Sequence, residues 1–487
     1  MTYSAIFVSM RDAHLRRPKR LGAGASSGDA PYRDLCFFTA ATTALAHSSK
    51  SDRAPRRSLL ITQPLSARPV YRCVLTAVLV LLAAAPTAAA PPSASPTGAH
   101  TYYVDSRSGN DARSGRSPAA AWRSLARAAS VRLRGGDRLL LRRGSSWHQE
   151  LDLGSSGTAS RAVVVGAYGK GPRPLIRGSS TCVRITGSFV DLTGIAASDC
   201  TWAGVSIAGS FVRVDHALVR GAAAGIEVTP ESRGAVIAHN ALIDNNRMSV
   251  LTRSPHNDDS GAFGILLRGR RTLVADNRIE GSEAFSYDYG RDGSAVEVYG
   301  GRDNTIVRNI AVDDHAFTEL GNPQSSGNTY AYNLYISHEA RTTFLVTRGA
   351  QDSLGPVHGT RVYNTTAVLT GKGSKGVVCY DGCSPNILRL RNDVVVVATG
   401  DASEADAPFD EAHDVFSGGL SGVRLGPGSV VANPRFRNPR AGNFRLRPSS
   451  PAIGRGVPLG ISRDLVGTRV PRTATPDAGC YEYRRAR

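Results

Sequence analysis

Short runs of alternating apolar and polar residues recur between residues 189 and 396. Seven of them share one pattern, a β-branched run that leads into a polar residue: VRVDHALV, VIAHNALI, LVADNRIE, TIVRNIAV, YAYNLYI, RVYNTTAV and LRLRNDVVV. The polar residues are His216, Asn240, Asn277, Asn309, Asn333, Asn364 and Asn392, at spacings of 24, 37, 32, 24, 31 and 28 residues. Alternation with a period of two favours strands over helices. A fixed register at irregular spacing indicates a solenoid whose loops vary in length.

A second strand follows in most repeats, as in AGVSIAG, AGIEVTP, FGILLRG, SAVEVYG and AFTELGN. Short strands that stack on the previous repeat and share one core are typical of a parallel β-helix. The predicted fold class is therefore all-β. We expect the Asn column to form a ladder of side-chain amides at a buried turn, because stacked Asn side chains satisfy backbone polar groups.

The region after residue 100 has a distinctive sequence at each end. At its start stand TYYVDSRSGNDARSGRSPAAAWRSLARAAS and GGDRLLLRRGSSWHQELDLGSSGTASRAVVVGAYGKGPRPLIRG. At its end stand ANPRFRNPRAGNFRLRPSSPAIGRGVPLG and TPDAGCYEY. These stretches resemble secreted right-handed parallel β-helix proteins of the pectin lyase-like superfamily. The resemblance covers roughly residues 100–487 and implies a right-handed β-helix. The superfamily includes polysaccharide lyases, glycoside hydrolases, epimerases and non-enzymatic adhesins, so the resemblance does not choose an activity.

The resemblance also suggests how the domain is organised. Residues 119–130, AAAWRSLARAAS, are predicted to form a short amphipathic helix that caps the open end of the solenoid. A cap of this kind hides an otherwise exposed strand edge. We expect the β-helix domain with this cap to span 100–429, and the Pro-, Gly- and Arg-containing segment 430–487 to form a loop-rich C-terminal cap.

A secretory signal is predicted upstream of this domain. Two arginines, Arg68 and Arg72, precede an apolar run that extends from Val74 to Ala85, and a small-residue site follows at residues 88–90. This order of features is that of a secretory signal peptide. The run of about a dozen residues is too short for a stable membrane span, which needs about 20.

The signal peptide sets the expected boundaries of the N-terminal part. We place it at 70–90 and a linker at 91–99, which predicts a secreted, extracellular bacterial protein. Residues 1–69 lack periodicity, and we expect them to be a non-native or unstructured leader, with translation starting near Val70.

The charge of the chain bears on its partners. The 487 residues carry a net charge of +19, and a basic surface favours anionic partners. There is no zinc finger, no RNP-type motif and no dense basic run with aromatics, so nucleic acid is not expected as a partner. An acidic polysaccharide fits this charge at least as well. We expect a monomer whose partner is a polysaccharide.

Export makes disulfides possible, and five cysteines lie beyond residue 90. Cys379 and Cys383 are spaced to close a tight loop, and Cys182 and Cys200 to bridge adjacent turns. Cys480 is left over. The spacings match no zinc pattern well.

Two neighbouring repeats each carry a glutamate between apolar residues, Glu297 in AVEVYG and Glu319 in FTELGN. If Val296 and Val298 point into the core, Glu297 points outward, and the same argument applies to Glu319. Adjacent coils lie about 4.8 Å apart, so the two carboxylates would be stacked and one pKa should rise unless a cation intervenes. The outer face in this register is predicted to carry Ser206, Glu227, Leu266, Glu297, Glu319, Leu345 and Val378.

Three functions are compatible with this pair. In a glycoside hydrolase, Glu297 and Glu319 would be the nucleophile and the acid/base, since carboxyl groups about 5–5.5 Å apart suit a retaining mechanism. In a lyase acting on a uronic-acid polymer they would bind Ca²⁺, which prefers oxygen ligands, together with Asp288 and Asp292. In a non-catalytic glycan-binding or surface protein they would be solvated charges. The hydrolase needs no cofactor, whereas the lyase needs Ca²⁺.

Residues near the two glutamates strengthen the prediction of a site. Loops inserted in the longest repeats tend to build groove walls, and these loops contain SPHNDDSG and SEAFSYDYGRDG. The expected assisting residues are Asp292, Asp314 and His315. The expected substrate-binding residues are Tyr287, Tyr289, His338, Arg341 and Arg348. No G-x-S-x-G, H-E-x-x-H, P-loop or Rossmann motif points to another chemistry. The favoured prediction is a secreted hydrolase that cleaves a polysaccharide with the stacked glutamates.

Overall fold

The computed structural model describes residues 98–253 and 258–484. They lie within one compact unit, Ala90–Arg487. The predicted leader and signal peptide, 1–69 and 70–90, lie outside the described residues, and so does most of the linker. In the described part of the chain, no helix is long and apolar enough to cross a membrane.

The chain winds through three parallel sheets, named A, B and C here, and one turn of this winding is called a coil. Sheets B and C are joined through two long strands of the last coils. Sheet A comprises Thr101–Val104, Arg138–Arg142, Val163–Tyr168, Val190–Thr193, Arg213–Asp215, Val236–Ala238, Leu273–Ala275, Thr305–Val307, Thr329–Ala331, Thr360–Tyr363, Leu388–Arg391 and Asp410–Ala412. Sheet C comprises Ser146–Trp147, Leu175–Arg177, Ala196–Ser198, Leu218–Arg220, Ala241–Ile243, Arg278–Glu280, Ile310–Val312, Leu334–Ser337, Thr366–Leu369 and Val430–Val431.

Sheet B carries the two glutamates. It comprises Leu151–Leu153, Thr181–Ile185, Ala203–Ile207, Ala224–Val228, Phe263–Leu267, Ser294–Tyr299, Ala316–Gly321, Thr343–Arg348 and Lys375–Tyr380. The strands Val394–Ala405 and Val415–Ser421 belong to both B and C. Three small antiparallel hairpins complete the strands: Met248–Val250 with Ser260–Gly261, Ala284–Ser286 with Gly290–Asp292, and Phe436–Asn438 with Asn443–Leu446. The predicted all-β parallel β-helix is confirmed.

The N-terminal cap differs from its prediction. A continuous helix over 119–130 is wrong: a 3₁₀ turn occupies Pro118–Ala120, and the α-helix covers only Leu125–Ala129. Trp122 interrupts the helix because it forms a parallel bridge with Val104. The helix then begins after Ser124, whose side chain accepts a hydrogen bond from the backbone N–H of Arg127. A second 3₁₀ turn, Pro439–Ala441, lies in the C-terminal hairpin.

The Asn ladder exists over four coils. The Oδ1 of Asn277 accepts from the backbone N–H and from Nδ2 of Asn240, at 2.9 and 3.0 Å. Asn309 and Asn333 repeat the arrangement on the next coils. Every member is buried, so the ladder satisfies backbone groups that water cannot reach.

Three other members of the predicted column are one residue out of register. His216, Asn364 and Asn392 have a left-handed backbone, with φ of 54°, 48° and 61°, and precede the ladder position. Asp393 and Asp414 take that position on the last coils, and each accepts from the N–H of the preceding coil. Burial raises the pKa of both carboxyls, so each can replace a neutral amide.

Both predicted disulfides are present. Cys182 is bonded to Cys200 and Cys379 to Cys383, while Cys480 is a buried free thiol.

Candidate active site

The two glutamates are direct neighbours on the outer face of sheet B. Glu297 lies opposite Glu319 in the parallel pairing of Ser294–Tyr299 with Ala316–Gly321. Val296 and Val298 are fully buried on the opposite face, as the alternation predicted. The register of the pair is therefore confirmed.

The predicted outer column is correct at every position except Leu345, since Val378 also lies in it, paired with Val346. Ser206, Glu227 and Leu266 lead in register to Glu297. After Glu319, however, the partner is Val346, because Leu345 is fully buried in the core. Both residues are apolar, so the alternation in TFLVTRG did not show which of them faces inward.

A cavity of about 460 Å³ lies over the pair. Its floor is the outer face of sheet B, and its walls come from the two inserted loops that the sequence singled out. The hairpin Ala284–Ser286/Gly290–Asp292 contributes Tyr289 and Asp292, and the other loop contributes Asp258 and Asp259. The insertions thus convert a flat sheet face into a closed-off site.

The surroundings of Glu297 favour the protonated form of its carboxyl group. Burial raises its pKa well above the usual range, and the neighbouring Glu319 and Asp292 raise it further. The hydroxyl of Ser294 lies 3.0 Å from Oε2 of Glu297 and holds the side chain on the outer face. Asp292 behaves similarly: burial and Glu319 raise its pKa to about 7.

Glu319 has a different environment. Its Oε1 is ion-paired with the guanidinium of Arg348. Arg348 lies on the next coil, two residues after Val346, which is the strand partner of Glu319. Arg348 also lies 3.3 Å from Asp352 and donates to the backbone carbonyl of Leu320 at 3.2 Å. Three acceptors therefore fix this guanidinium beside Glu319, so the two stacked glutamates have different electrostatic surroundings.

His315 reaches the cavity from the start of the Glu319 strand. Its Nδ1 lies 3.7 Å from Glu283, which also accepts from Arg291 at 2.7 and 2.8 Å. Burial alone would raise the pKa of Glu283, but the nearby imidazole of His315 and the hydrogen bonds from Arg291 lower it. Glu283 was not predicted from the sequence, where its only signal was its place before the inserted hairpin.

The two candidate tyrosines have separate positions. Tyr289 lines the cavity, and burial raises the pKa of its hydroxyl. Tyr287 does not line it; the guanidinium of Arg253 lies 5.1 Å from its ring centroid. The hairpin that carries both is anchored by Asp259, whose Oδ2 accepts from Ser286 and from the backbone N–H of Tyr287.

Three predicted site residues lie away from the cavity. Asp314 is completely buried at the turn into sheet B, where it accepts from the N–H of Ser282 at 2.8 Å. His338 is bonded to Asp313, with Nδ1 at 3.0 Å from the carboxylate, and Arg341 has a left-handed backbone in the following turn. None of the three is among the described residues that line the cavity.

The predicted set of calcium ligands, Asp288, Asp292, Glu297 and Glu319, is not brought together as a group. Asp288 instead lies with Asp258 and Asp259, because its carboxylate accepts from the N–H of Asp259 at 3.0 Å. One other group among the described residues could hold a metal by the spacing of its ligand atoms, and none of its members lines the cavity: Asp215, His216 and His239.

No protein-family model and no curated protein matches this chain. Several solved structures are similar to it. Pectate lyase Pel9A is 16% identical, with a TM-score of 0.49, over 80% of this chain and 97% of that one. A GH136 lacto-N-biosidase from Eubacterium ramulus is 15% identical, with a TM-score of 0.42, over 67% and 68%. An alginate lyase from Paenibacillus sp. str. FPU-7 is 13% identical, with a TM-score of 0.37, over 60% and 93%. At such identities the likeness concerns the fold, and the function of this chain has to be argued from its own site.

Proposed function

We propose that this protein is a glycoside hydrolase that cleaves a polysaccharide with Glu297 and Glu319. One observation carries the proposal: two carboxyl groups are stacked in one cavity, and Glu319 is ion-paired with Arg348 whereas Glu297 lies among groups that raise its pKa. A protonated carboxyl beside an ionised one is the arrangement that acid-assisted cleavage of a glycosidic bond requires.

The coil spacing points to a retaining mechanism. Neighbouring strands lie about 4.8 Å apart, close to the carboxyl separation of retaining enzymes and well below that of inverting ones. Glu319 is the nucleophile: its carboxylate attacks the anomeric carbon while Glu297 gives its proton to the departing oxygen. Water then attacks the glycosyl ester, and Glu297 takes a proton from that water. Each bond that breaks is matched by one that forms, and no other reactant is needed.

The remaining residues bind and orient the substrate. Arg348 is ion-paired with Oε1 of Glu319, which leaves Oε2 to attack. Asp292, with its pKa near neutrality, holds a sugar hydroxyl near the reacting carbon, and Tyr289 offers a ring face to a sugar. His315, fixed by Glu283, supplies a further hydrogen bond.

The calcium-dependent lyase is the second candidate. It is favoured by the raised pKa values of Glu297 and Asp292, because a divalent cation in the cavity would relieve the same crowding of acids. Arg348 argues against it, since this guanidinium already supplies the positive charge beside Glu319.

The test is turnover by the purified protein on a panel of neutral and acidic polysaccharides. Reducing ends and the absorbance of unsaturated uronates are measured together, with and without EDTA. The hydrolase produces reducing ends alone, and EDTA has no effect. Unsaturated products that disappear with EDTA would establish the lyase instead. Binding without any product would indicate a glycan-binding protein.

Two variants connect the turnover to the site. Glu297→Gln and Glu319→Gln each remove one carboxyl with little change of shape, and we expect each to lose at least a hundredfold in kcat. Glu280→Gln is the matched control, because Glu280 is a surface glutamate of sheet C that is paired with Arg278. If the control loses as much activity as the two site variants, the assignment is wrong.

A further inference from the structure

An apolar patch lies on the outer face of sheet B, on the N-terminal side of the glutamate pair. Ala203, Ala224, Phe263 and Leu266 form a buried cluster there, and Trp202 packs against it. In the parallel pairing, Leu266 lies directly beside Glu297, one coil before it. The patch therefore begins where the catalytic pair ends.

Trp202 is held in place by a hydrogen bond rather than by packing alone. Its Nε1–H donates to Oε2 of Glu227 at 3.0 Å, and the hydroxyl of Ser206 donates to the same oxygen at 2.8 Å. Arg268 lies 3.5 Å from the other oxygen of Glu227. Glu227 and Arg268 are thus paired with each other, so together they add little net charge beside the apolar cluster.

This patch lines its own cavity, which continues into the first. The second cavity has a volume of about 190 Å³ and is lined by Trp202, Leu266 and Arg268. It shares Ser260, Phe263, Glu297 and Tyr299 with the cavity over the glutamates. The two form one groove that crosses successive coils.

The spacing of the coils suits a glycan chain in this groove. Adjacent coils are about 4.8 Å apart, close to the length that one pyranose unit adds to an extended chain. A glycan that lies across the coils therefore presents about one sugar to each. The unit beside the cleaved bond on the N-terminal side would lie over Leu266 and Phe263, and the ring of Trp202 would face the units beyond it.

We propose that Trp202, Phe263 and Leu266 form a subsite for a neutral pyranose that binds through its C–H face. This inference rests on the proposed function and adds the class of sugar that the N-terminal half of the groove accepts. Aromatic and aliphatic surfaces bind the apolar face of a sugar by burying it from water. A uronate is disfavoured, because Arg268 is paired with Glu227 and the described residues that line this cavity offer no other cation.

The groove then has two chemically different ends. The apolar subsite lies before Glu297, whereas the guanidinium of Arg348 lies after Glu319. A substrate with the apolar face of a neutral sugar on one side of the scissile bond, and hydroxyl groups that can hydrogen-bond on the other, matches both ends.

Trp202 provides a spectroscopic signal for the test. The chain contains three tryptophans, and Trp122 and Trp147 are 1% and 4% exposed, whereas Trp202 is partly exposed at the groove. Ligand contact with the subsite should therefore change the fluorescence that comes from Trp202. Measurements are made in the Glu319→Gln variant, which keeps the second cavity intact and cannot turn over substrate by the proposed mechanism.

The probes are neutral tetrasaccharides of glucose, galactose, mannose, xylose and N-acetylglucosamine, with tetragalacturonate and tetramannuronate as acidic counterparts. We expect at least one neutral probe to change the emission, and Trp202→Ala to weaken its binding, measured by calorimetry, about tenfold. Trp202→Phe keeps an aromatic face without the N–H and should recover most of the affinity. Phe211→Ala, which removes an exposed aromatic ring that stacks on Phe189, is the control and should change nothing.

The proposal is overturned if no neutral probe binds, if Trp202→Ala binds within twofold of its parent, or if the acidic probes bind with the same dependence on Trp202. Its failure can be separated from failure of the proposed function. Binding through Trp202 in a protein that cleaves no polysaccharide would retain the subsite and refute the hydrolase. Cleavage of a polysaccharide with an unchanged KM in Trp202→Ala would support the hydrolase and refute the subsite.

Discussion

Asp314 provides a sharp test of how burial controls the carboxyl groups of this fold. It was a candidate catalytic residue by sequence, yet it is fully buried, and its Oδ2 has no hydrogen-bond partner among the described residues. Burial raises its pKa from 3.8 to about 7. Because the folded-state pKa is the higher one, the group stabilises folding fully below pH 3.8, and this stabilisation is lost as the pH rises through about 7.

The size of the effect follows from the two pKa values of Asp314. A tenfold difference in proton affinity between the folded and unfolded states corresponds to about 1.4 kcal/mol. With a pKa of 3.8 in the unfolded chain and about 7 in the folded protein, the carboxyl lowers the free energy of unfolding by about 2 kcal/mol at pH 5 and by about 4 kcal/mol at pH 8. The amide in Asp314→Asn does not titrate, so the stability difference between variant and wild type should widen in favour of the variant by about 2 kcal/mol between these pH values.

The assay is urea unfolding of the wild type and of Asp314→Asn, followed by circular dichroism, at pH 5 and pH 8. All other titrating groups are common to both proteins and cancel in the difference. Asp303→Asn is the control for the substitution itself, since Asp303 is an exposed aspartate in a turn with a left-handed backbone. A constant difference for Asp314→Asn would refute the argument, because it would mean that the carboxyl is ionised in the folded protein. Loss of kcat in this variant would restore Asp314 to the active site.

Three more predictions follow from the contacts. In Glu319→Gly, added azide should take the place of the missing nucleophile, restore turnover and yield a glycosyl azide, which mass spectrometry detects. If azide restores turnover in Glu297→Gly instead, Glu297 is the nucleophile and Glu319 the acid. Asn309→Ala should lower the free energy of unfolding by about 3 kcal/mol, measured by urea denaturation, because the buried N–H of Asn277 and the carbonyl of Val274 lose their partners. Glu297→Gln should raise the unfolding midpoint at pH 8 more than at pH 5, since the raised pKa of Glu297 makes the folded protein lose stability as the pH rises; an equal midpoint shift at both pH values would contradict this.

The register of a strand could be predicted from the sequence where apolar and polar residues alternate clearly. Val296 and Val298 leave Glu297 no inward position, and the neighbouring strand repeats the pattern, so the pairing of the glutamates could be predicted. In TFLVTRG two apolar residues are adjacent, and the prediction chose Leu345 where the fold places Val346 outward. The error is one residue, which is the step that exchanges the two faces of a strand.

The limits of the sequence are clearest in the rest of the groove. Ala224 and Phe263 are partners on adjacent coils although 39 residues separate them, because a long loop lies between. Sequence distance therefore hides which side chains share a face of the sheet. For this reason the sequence did not indicate Trp202 and Phe263 as groove residues. The same effect misplaced His338 and Arg341, which are close to Arg348 in sequence but lie on the turn before the strand, outside the cavity.

Stacking explains both the stability of this fold and the chemistry of its site. A parallel β-helix places residue types directly above one another, which favours neutral groups that can donate and accept, as in the column from Asn240 to Asn333. The same geometry brings Glu297 and Glu319 together at the cost of repulsion. Their surroundings differ, because Arg348 is ion-paired with Glu319 while burial raises the pKa of Glu297. In the proposed mechanism this difference makes Glu297 the acid and Glu319 the nucleophile on adjacent coils, so the stacking that costs stability is also what would support cleavage of a glycosidic bond.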